Sequence, residues 1–255
     1  MAIDKAVDSA VLDAKFTAIA DAIRGKTGGT ETMTEDEMPE QVNAVFEAGE
    51  KSERDRFWDM VQANGTRANY AYAFYYWDAE YIRPKYKSLP IMAFNSAFFG
   101  NPNLKKIEGA YFDLSQLSDA ATVNYSFSTC AQLEHVEDIQ LPAMNSYYHT
   151  WGSCPSLRSI DVVRVKKETT FTNAFYYCTA LENLTIEGVI GQNGFDVSRS
   201  VLLTHDSLMS IIDALADYSA DTSGTVWTVT LGETNLAKLS EEEIGIAESK
   251  GWVLA

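Results

Sequence analysis

The sequence predicts an α/β protein whose centre is a short stack of repeated units lined by a parallel sheet. Three observations carry this expectation. A motif returns about every two dozen residues, a period-two alternation follows its copies, and segments with helical spacing and cap signals flank it on both sides. The organisation expected is a helical module over residues 1–65, the repeats over 66–188 and an α/β cap over 189–255.

In the amino-terminal part, residues 9–24 place Leu12, Phe16, Ile19 and Ile23 on one helical face, and Gly25 reads as the stop. After the link GKTGGTET, Thr34 and Glu37 form a capping box that opens a second helix through Val42, Val45 and Phe46. Phe57, Trp58 and Val61 extend the apolar spacing as far as Asn64-Gly65. A helical set this small, with one narrow apolar stripe per helix, is marginal alone, so the stripes point to other copies or a partner.

The repeat is seen in AFFGNPNLKKIEG from Ala97, SFSTCAQLEHVED from Ser126, TWGSCPSLRSIDV from Thr150 and AFYYCTALENLTI from Ala174. Each copy reads small, aromatic, two variable, Cys or Asn, two variable, Leu, two variable, then an aliphatic residue. Leu104, Leu133, Leu157 and Leu181 are separated by 29, 24 and 24 residues. That period marks a leucine-rich solenoid, in which each unit buries its apolar face only against its neighbours. A weaker copy, AFYYWDAEYI from Ala73, keeps the small-aromatic start, lacks the leucine and reads as an irregular first turn. Alternation at Ile160 and Val162, and at Leu184 and Ile186, gives each unit a strand, and stacked units set these strands about 4.8 Å apart. Phe98, Phe127, Trp151 and Phe175 then form an internal ladder, each contributing roughly 1.5–3 kcal/mol by burial.

Cys130, Cys154 and Cys178 share one repeat position, held by Asn101 in the first clear copy. A residue type that returns at each rung is selected by the rung, and a small, weakly polar side chain suits a tight buried turn. Adjacent rungs bring these thiols within disulfide range. The odd count and the lack of a visible secretory leader favour the reduced form.

In the carboxy-terminal part, Thr204 caps a helix through Leu208, Ile211, Ile212 and Leu215, TVWTVTLG over 225–232 alternates as a strand, and Ser240 with Glu243 forms a second capping box. Gly251 stops that helix before the final WVLA. Together these elements seal the end of the stack, as terminal repeats require.

Several function classes are excluded or left without support. A formal charge of −16 leaves no basic surface to displace phosphate counterions, which excludes nucleic acid as a partner. No run reaches the roughly 18 apolar residues of a membrane span, so no membrane partner is expected. Gly25-Lys26-Thr27 lacks the upstream glycine and the leading strand of a phosphate loop. Thr204-His205-Asp206-Ser207 has the residue types of a hydrolase triad, but adjacency in sequence does not supply triad geometry, and a helix cap explains them. His135, His149 and His205 lack metal-ligand spacing, so neither metal nor cofactor is expected. Glu108, Glu137 and Asp161 share one repeat position and read as an exposed acidic stripe, a solvated face with calcium binding as the alternative. No catalytic constellation remains.

Three stretches carry a resemblance: FTAIADAIRGKTGGTETMTEDEMPEQVNAV, FWDMVQANGTRANYAYAF followed by YIRPKY, and LTHDSLMSIIDALADYS with TVTLGETNLAKLSEEEIGIAESKGWVLA. The chain resembles BspA-like leucine-rich-repeat tail or receptor-binding proteins of phages and prophages of gut Firmicutes, over nearly its whole length. The resemblance implies a virion tail component made in the bacterial cytoplasm, joined to other tail proteins through residues 1–65. It implies recognition of a bacterial surface protein or glycan by the repeats, and allows a homo-oligomer, fibres of this kind being commonly trimeric. A structural tail or assembly protein and a bacterial cell-surface adhesin are the alternatives.

Aromatic residues beyond the internal ladder supply the candidate contact surface. Tyr75, Tyr76, Phe99, Tyr147, Tyr148, Tyr176 and Tyr177 fall at variable repeat positions or in connecting loops. Tyrosine offers large contact area with little rotamer loss, suited to sugar rings or protein hot spots.

Overall fold

Within each repeat, the aromatic half forms a tight turn and the leucine half feeds a strand, and both halves bond to the same halves of the next unit. The computed structural model describes residues 68–69, 74, 76–77, 80–82, 91–118 and 121–255, all in one compact unit spanning Val61–Ala255. The expected helical module, Gly25-Lys26-Thr27 and Tyr75 lie outside the described residues.

The α/β class is as expected. Strands β1 (Ala68–Asn69) and β2 (Ile91–Ala93) pair in parallel. Strands β3 (Lys106–Ile107), β4 (His135–Val136), β5 (Ser159–Val165) and β6 (Asn183–Gly188) form a four-stranded parallel sheet in sequence order. Its register joins Ile107, Val136, Ile160 and Leu184, one from each repeat copy. Three residues upstream of each, Leu104, Leu133, Leu157 and Leu181 are fully buried. The 29-residue first interval is absorbed between the copies, where Phe112, Leu114, Leu117 and Val123 are buried and Leu114 N donates to Ile139 O.

The expected aromatic ladder is present and longer than expected. Phe74, Phe98, Phe127, Trp151 and Phe175 stack at centroid spacings of 5.0, 5.5, 6.4 and 5.4 Å, with interplanar angles of 18° or less. Phe195 closes the column, tilted at 5.4 Å from Phe175. The copy from Ala73 therefore joins the stack through Phe74 although its leucine is missing: Phe74 N donates to Ala97 O and Tyr76 N to Phe99 O, as in later units.

The turns hold because neighbouring units accept their amides. Phe98, Phe127 and Trp151 N–H groups donate to Ser126, Thr150 and Ala174 carbonyls, and Gly100, Thr129 and Ser153 N–H groups to Ser128, Gly152 and Tyr176 carbonyls. Two positions per turn take positive φ. One holds Ser96, Tyr125, His149 and Asn173, and the other Tyr76, Gly100, Thr129, Ser153 and Tyr177. Left-handed backbone costs a non-glycine residue roughly 1–2 kcal/mol, a strain the inter-unit bonds offset.

Cysteine has a function in the fold that size alone did not reveal. Cys130 Sγ donates to Phe98 O at 3.0 Å, Cys154 Sγ to Phe127 O at 2.9 Å and Cys178 Sγ to Trp151 O at 3.1 Å. Asn101 Nδ2 makes the same bond to Phe74 O at 2.5 Å. Each rung thus ties the aromatic carbonyl of the rung before it.

Helix α1 (His205–Asp213), capped by Thr204, seals the far edge of the sheet. The Ser207 hydroxyl accepts from Leu184 N at 2.9 Å and the Ser210 hydroxyl from Ile186 N at 2.8 Å, so two edge amides of β6 are satisfied by side chains instead of another strand. Strand β7 (Trp227–Val229), shorter than the 225–232 expected, pairs in parallel with β8 (Trp252–Leu254). Between them lie a short helix α2 (Glu233–Leu236), which no cap signal announced, and α3 (Glu241–Ser249), opened by the expected Ser240/Glu243 capping box.

Trp151→Ala should destabilise by about 3–5 kcal/mol in urea unfolding. Among the described residues the buried Trp151 Nε1 has no hydrogen-bond partner. Trp151→Phe should therefore cost under about 1.5 kcal/mol, since removing an unpaired donor offsets part of the lost volume. At the left-handed position, Thr129→Gly should stabilise by about 0.5–1 kcal/mol, as relief of strain exceeds the added chain entropy. Gly100→Ala should destabilise, because its Cβ would run into the Tyr76 ring.

Candidate functional site

The outside of the stacked turns carries a second row of rings. Tyr76 meets Phe99 edge-on at 5.7 Å, Phe99 meets Tyr125 at 6.1 Å, and Tyr125 meets Tyr148 at 5.2 Å and stacks on His149 at 5.1 Å. Asn173 Nδ2 lies 3.0 Å from His149 Nε2. Farther along, Tyr176 and Tyr177 pair edge-on at 4.7 Å, and the Arg199 guanidinium sits 4.6 Å from the Tyr177 ring and 5.6 Å from that of Tyr176. Left-handed backbone places five of these residues on the row: Tyr76, Tyr125, His149, Asn173 and Tyr177. Tyr76 remains 62% exposed, and Tyr148, Tyr176 and Tyr177 are 36%, 42% and 44% exposed, so the face retains uncovered ring area after its internal contacts are made.

Of the residues expected at a contact surface, Tyr76, Phe99, Tyr148, Tyr176 and Tyr177 lie on this side, with Phe99 half-buried. Tyr147 does not, and its assignment is corrected. Tyr147 is fully buried, three residues before the small residue of its turn, where Phe94, Val123 and Phe171 also point inward. Its ring stacks on Trp151 and Phe171 at 5.2 and 5.9 Å, and its hydroxyl donates to Arg164 O at 2.7 Å. Burial pushes its phenol pKa well up.

Tyr125, His149, Asn173 and Arg199 were not anticipated. The first three share the position immediately before the small residue, a signal visible once the motif is extended one residue upstream. Arg199 follows the last copy, and no repeat pattern marks it. Burial lowers the His149 pKa and favours its neutral form, and the Tyr125 phenol is raised chiefly by its hydrogen bond with Tyr148.

On the sheet side, charged side chains pair across rungs. Lys106 pairs with Glu137 at 2.5 Å, His135 with Asp161 at 2.6 Å and Arg158 with Glu182 at 2.8 Å. Arg164 holds Asp138 through two bonds of 2.8 and 2.7 Å and reaches Glu187 at 3.1 Å. Glu137 and Asp161 of the expected acidic stripe are thus members of cross-rung pairs. The Lys106 ammonium and the Arg164 guanidinium hold the Glu137 and Asp138 carboxyls below the usual range.

No chemically reactive centre emerges from the thiols or the Thr204–Ser207 stretch. Burial raises Cys130 and Cys178 to about 12, and Cys154 also well above the usual thiol value. His205 Nε2 bonds Glu243 at 2.7 Å while the Ser207 hydroxyl pairs with Thr204 and accepts from Leu184 N, so these side chains form a cap. Among the described residues, no cluster of His, Cys, Asp and Glu has metal-holding geometry, and no helix is long and apolar enough to cross a membrane.

Besides a hollow of about 510 Å³ between β6 and α1, lined by Ile186, Met209 and Asp213, two others frame the choice of site. The larger, about 570 Å³, lies in the loop from Asp217 to Trp227. Both of its carboxylates already accept hydrogen bonds: Asp217 from Ser219 N at 2.9 Å, and Asp221 from Ser223 N, Ser223 Oγ and Trp227 Nε1 at 2.9, 2.8 and 2.8 Å. The smaller, about 250 Å³, lies beside the aromatic row and is lined by Asn173, Phe175, Tyr176, Asp196, Ser198 and Arg199. No family model, curated protein or solved structure matches the chain.

The thiols make alkaline stability a test of this arrangement. An open-chain thiol titrates near about 8.5, so the raised native values give stability that is full below that pH and lost as pH rises towards about 12. Each such thiol should remove about 1.4 kcal/mol by pH 9.5 in urea unfolding, and the Cys130→Ser/Cys178→Ser variant should lose correspondingly less. Native protein at pH 7.5 should resist iodoacetamide at all three cysteines and label fully in urea.

Proposed function

We propose that this chain is a non-enzymatic recognition protein whose repeats form a short leucine-rich-repeat solenoid and present the outer aromatic row to a bacterial surface. In the setting implied by the resemblance to phage and prophage tail proteins, it is a receptor-binding component of the virion, with residues 1–65 as the attachment module. The observation that carries the reading is the contrast between two sides of one stack. On the sheet side Lys106, Arg158 and Arg164 each pair with a carboxylate of a neighbouring rung. Tyr76, Tyr148, Tyr176 and Tyr177 on the turn side keep more than a third of their surface open. Exposed tyrosines held rigid by neighbours lose little entropy on binding, the property of interface hot spots.

Fluorescently labelled protein should bind cells of at least one strain in a panel of gut Firmicutes. Tyr148→Ala/Tyr176→Ala/Tyr177→Ala should weaken that binding at least tenfold, while Arg158→Ala on the sheet side leaves it unchanged. Binding to no strain, with capture by isolated virion proteins instead, would overturn surface recognition in favour of the assembly reading.

A further inference from the structure

Resting on the surface-recognition reading, we infer that the cleft beside Tyr176 is a subsite for one ring of a neutral saccharide. The cleft brings an open ring face together with three polar groups whose hydrogen-bonding capacity is unfilled. Tyr176 is 42% exposed, and Arg199 sits closer to Tyr177, which leaves the Tyr176 ring as the platform. Asn173 uses its Nδ2 on His149, and among the described residues its Oδ1 has no partner. Asp196 Oδ1 accepts from Ser198 N at 2.9 Å and Ser198 Oγ at 2.7 Å, and Oδ2 has no partner among the described residues. The guanidinium of Arg199 makes ring contacts alone among the described residues, with neither a carboxylate nor a carbonyl on its N–H groups. Lys106, Arg158 and Arg164 each pair with a carboxylate.

These groups select the ligand by what each leaves unsatisfied. A purely apolar molecule would cover Asp196 and Arg199 without replacing their water, at a cost greater than stacking returns. An anion would meet the Asp196 carboxylate inside a chain of net charge −16. A neutral pyranose fits both constraints. Its C–H face is positively polarised and complements the electron-rich face of Tyr176. Its hydroxyls donate to Asp196 Oδ2 and Asn173 Oδ1 while accepting from Arg199. The volume of about 250 Å³ accommodates a single ring, with the aromatic row from Tyr148 to Tyr76 available to further units of a chain.

Saturation-transfer NMR of the full chain with methyl glycosides of glucose, galactose, N-acetylglucosamine and rhamnose tests the inference, with methyl glucuronide as the anionic arm. At least one neutral glycoside should receive saturation at its ring C–H protons. That signal should fall at least fivefold in Tyr176→Ala and in Asp196→Asn and persist in Arg158→Ala on the sheet side, each variant being first shown to melt cooperatively. Saturation of none of the neutral glycosides, of the glucuronide alone, or of the same glycoside equally in Tyr176→Ala would overturn it. Parallel cell binding separates the two readings. Binding that survives periodate treatment of the cells but not protease overturns the saccharide and leaves surface recognition standing. Glycoside saturation with no cell bound does the reverse.

Discussion

Each turn of the stack borrows its hydrogen bonds from the next one. The aromatic turns pass through two left-handed residues apiece, a conformation that few side chains adopt without cost. Amides at alternate turn positions find carbonyls one unit on, and buried hydroxyls such as Ser126 Oγ on Phe94 O and Thr150 Oγ1 on Val123 O supply further ties. The cysteine thiols complete the set by bonding the aromatic carbonyl of the preceding unit. A turn removed from its neighbours would keep its strain and lose its partners, so the turn geometry and the stack are one requirement.

That requirement also divides the surface. The aromatic half of each unit is wound tightly enough to keep one ring inside, in the Phe74–Phe175 column, and to push others out. The strand half brings like positions of adjacent units side by side, where opposite charges meet at Arg158–Glu182, and Lys106 reaches diagonally to Glu137. One side therefore pairs its cations within the stack, and the other offers rings and partly unsatisfied polar groups. The functional proposal follows from this division more than from any single residue.

Much of this was legible because a repeat states each constraint several times over. The buried leucines, the inner ring column and both helix caps followed from spacing alone. The alternation expected at Ile160 and Val162 did not hold, because a register shift after Ile160 turns Val163 inward, opposite Ile186. Tyr147 was misread because adjacent tyrosines at 147 and 148 occupy opposite sides of the turn, and composition does not say which faces in. The hydrogen bond made by each thiol was hidden for a similar reason, since size and burial explain a small residue without revealing its partner. Arg199 and Asp196 stand outside the periodic segment, so only the folded chain brings them beside Tyr176. The acids of the sheet side looked like a solvated stripe because the sequence places their partners far away, Lys106 31 residues before Glu137 and His135 26 residues before Asp161.

The closing of β6 by two serine hydroxyls bears on how such a chain can change in length. On the repeat they cover, Ser207 and Ser210 bond only main-chain groups, the Leu184 amide and the Glu182 carbonyl through Ser207 and the Ile186 amide through Ser210. A last unit whose strand runs as β6 does would present the same pair of donors. An in-frame duplication of the unit that carries β6 would leave that lock fitting as before and extend the ring-bearing face by one strand spacing, about 4.8 Å. Reach can thus evolve by copying, independently of the residues that choose what is touched.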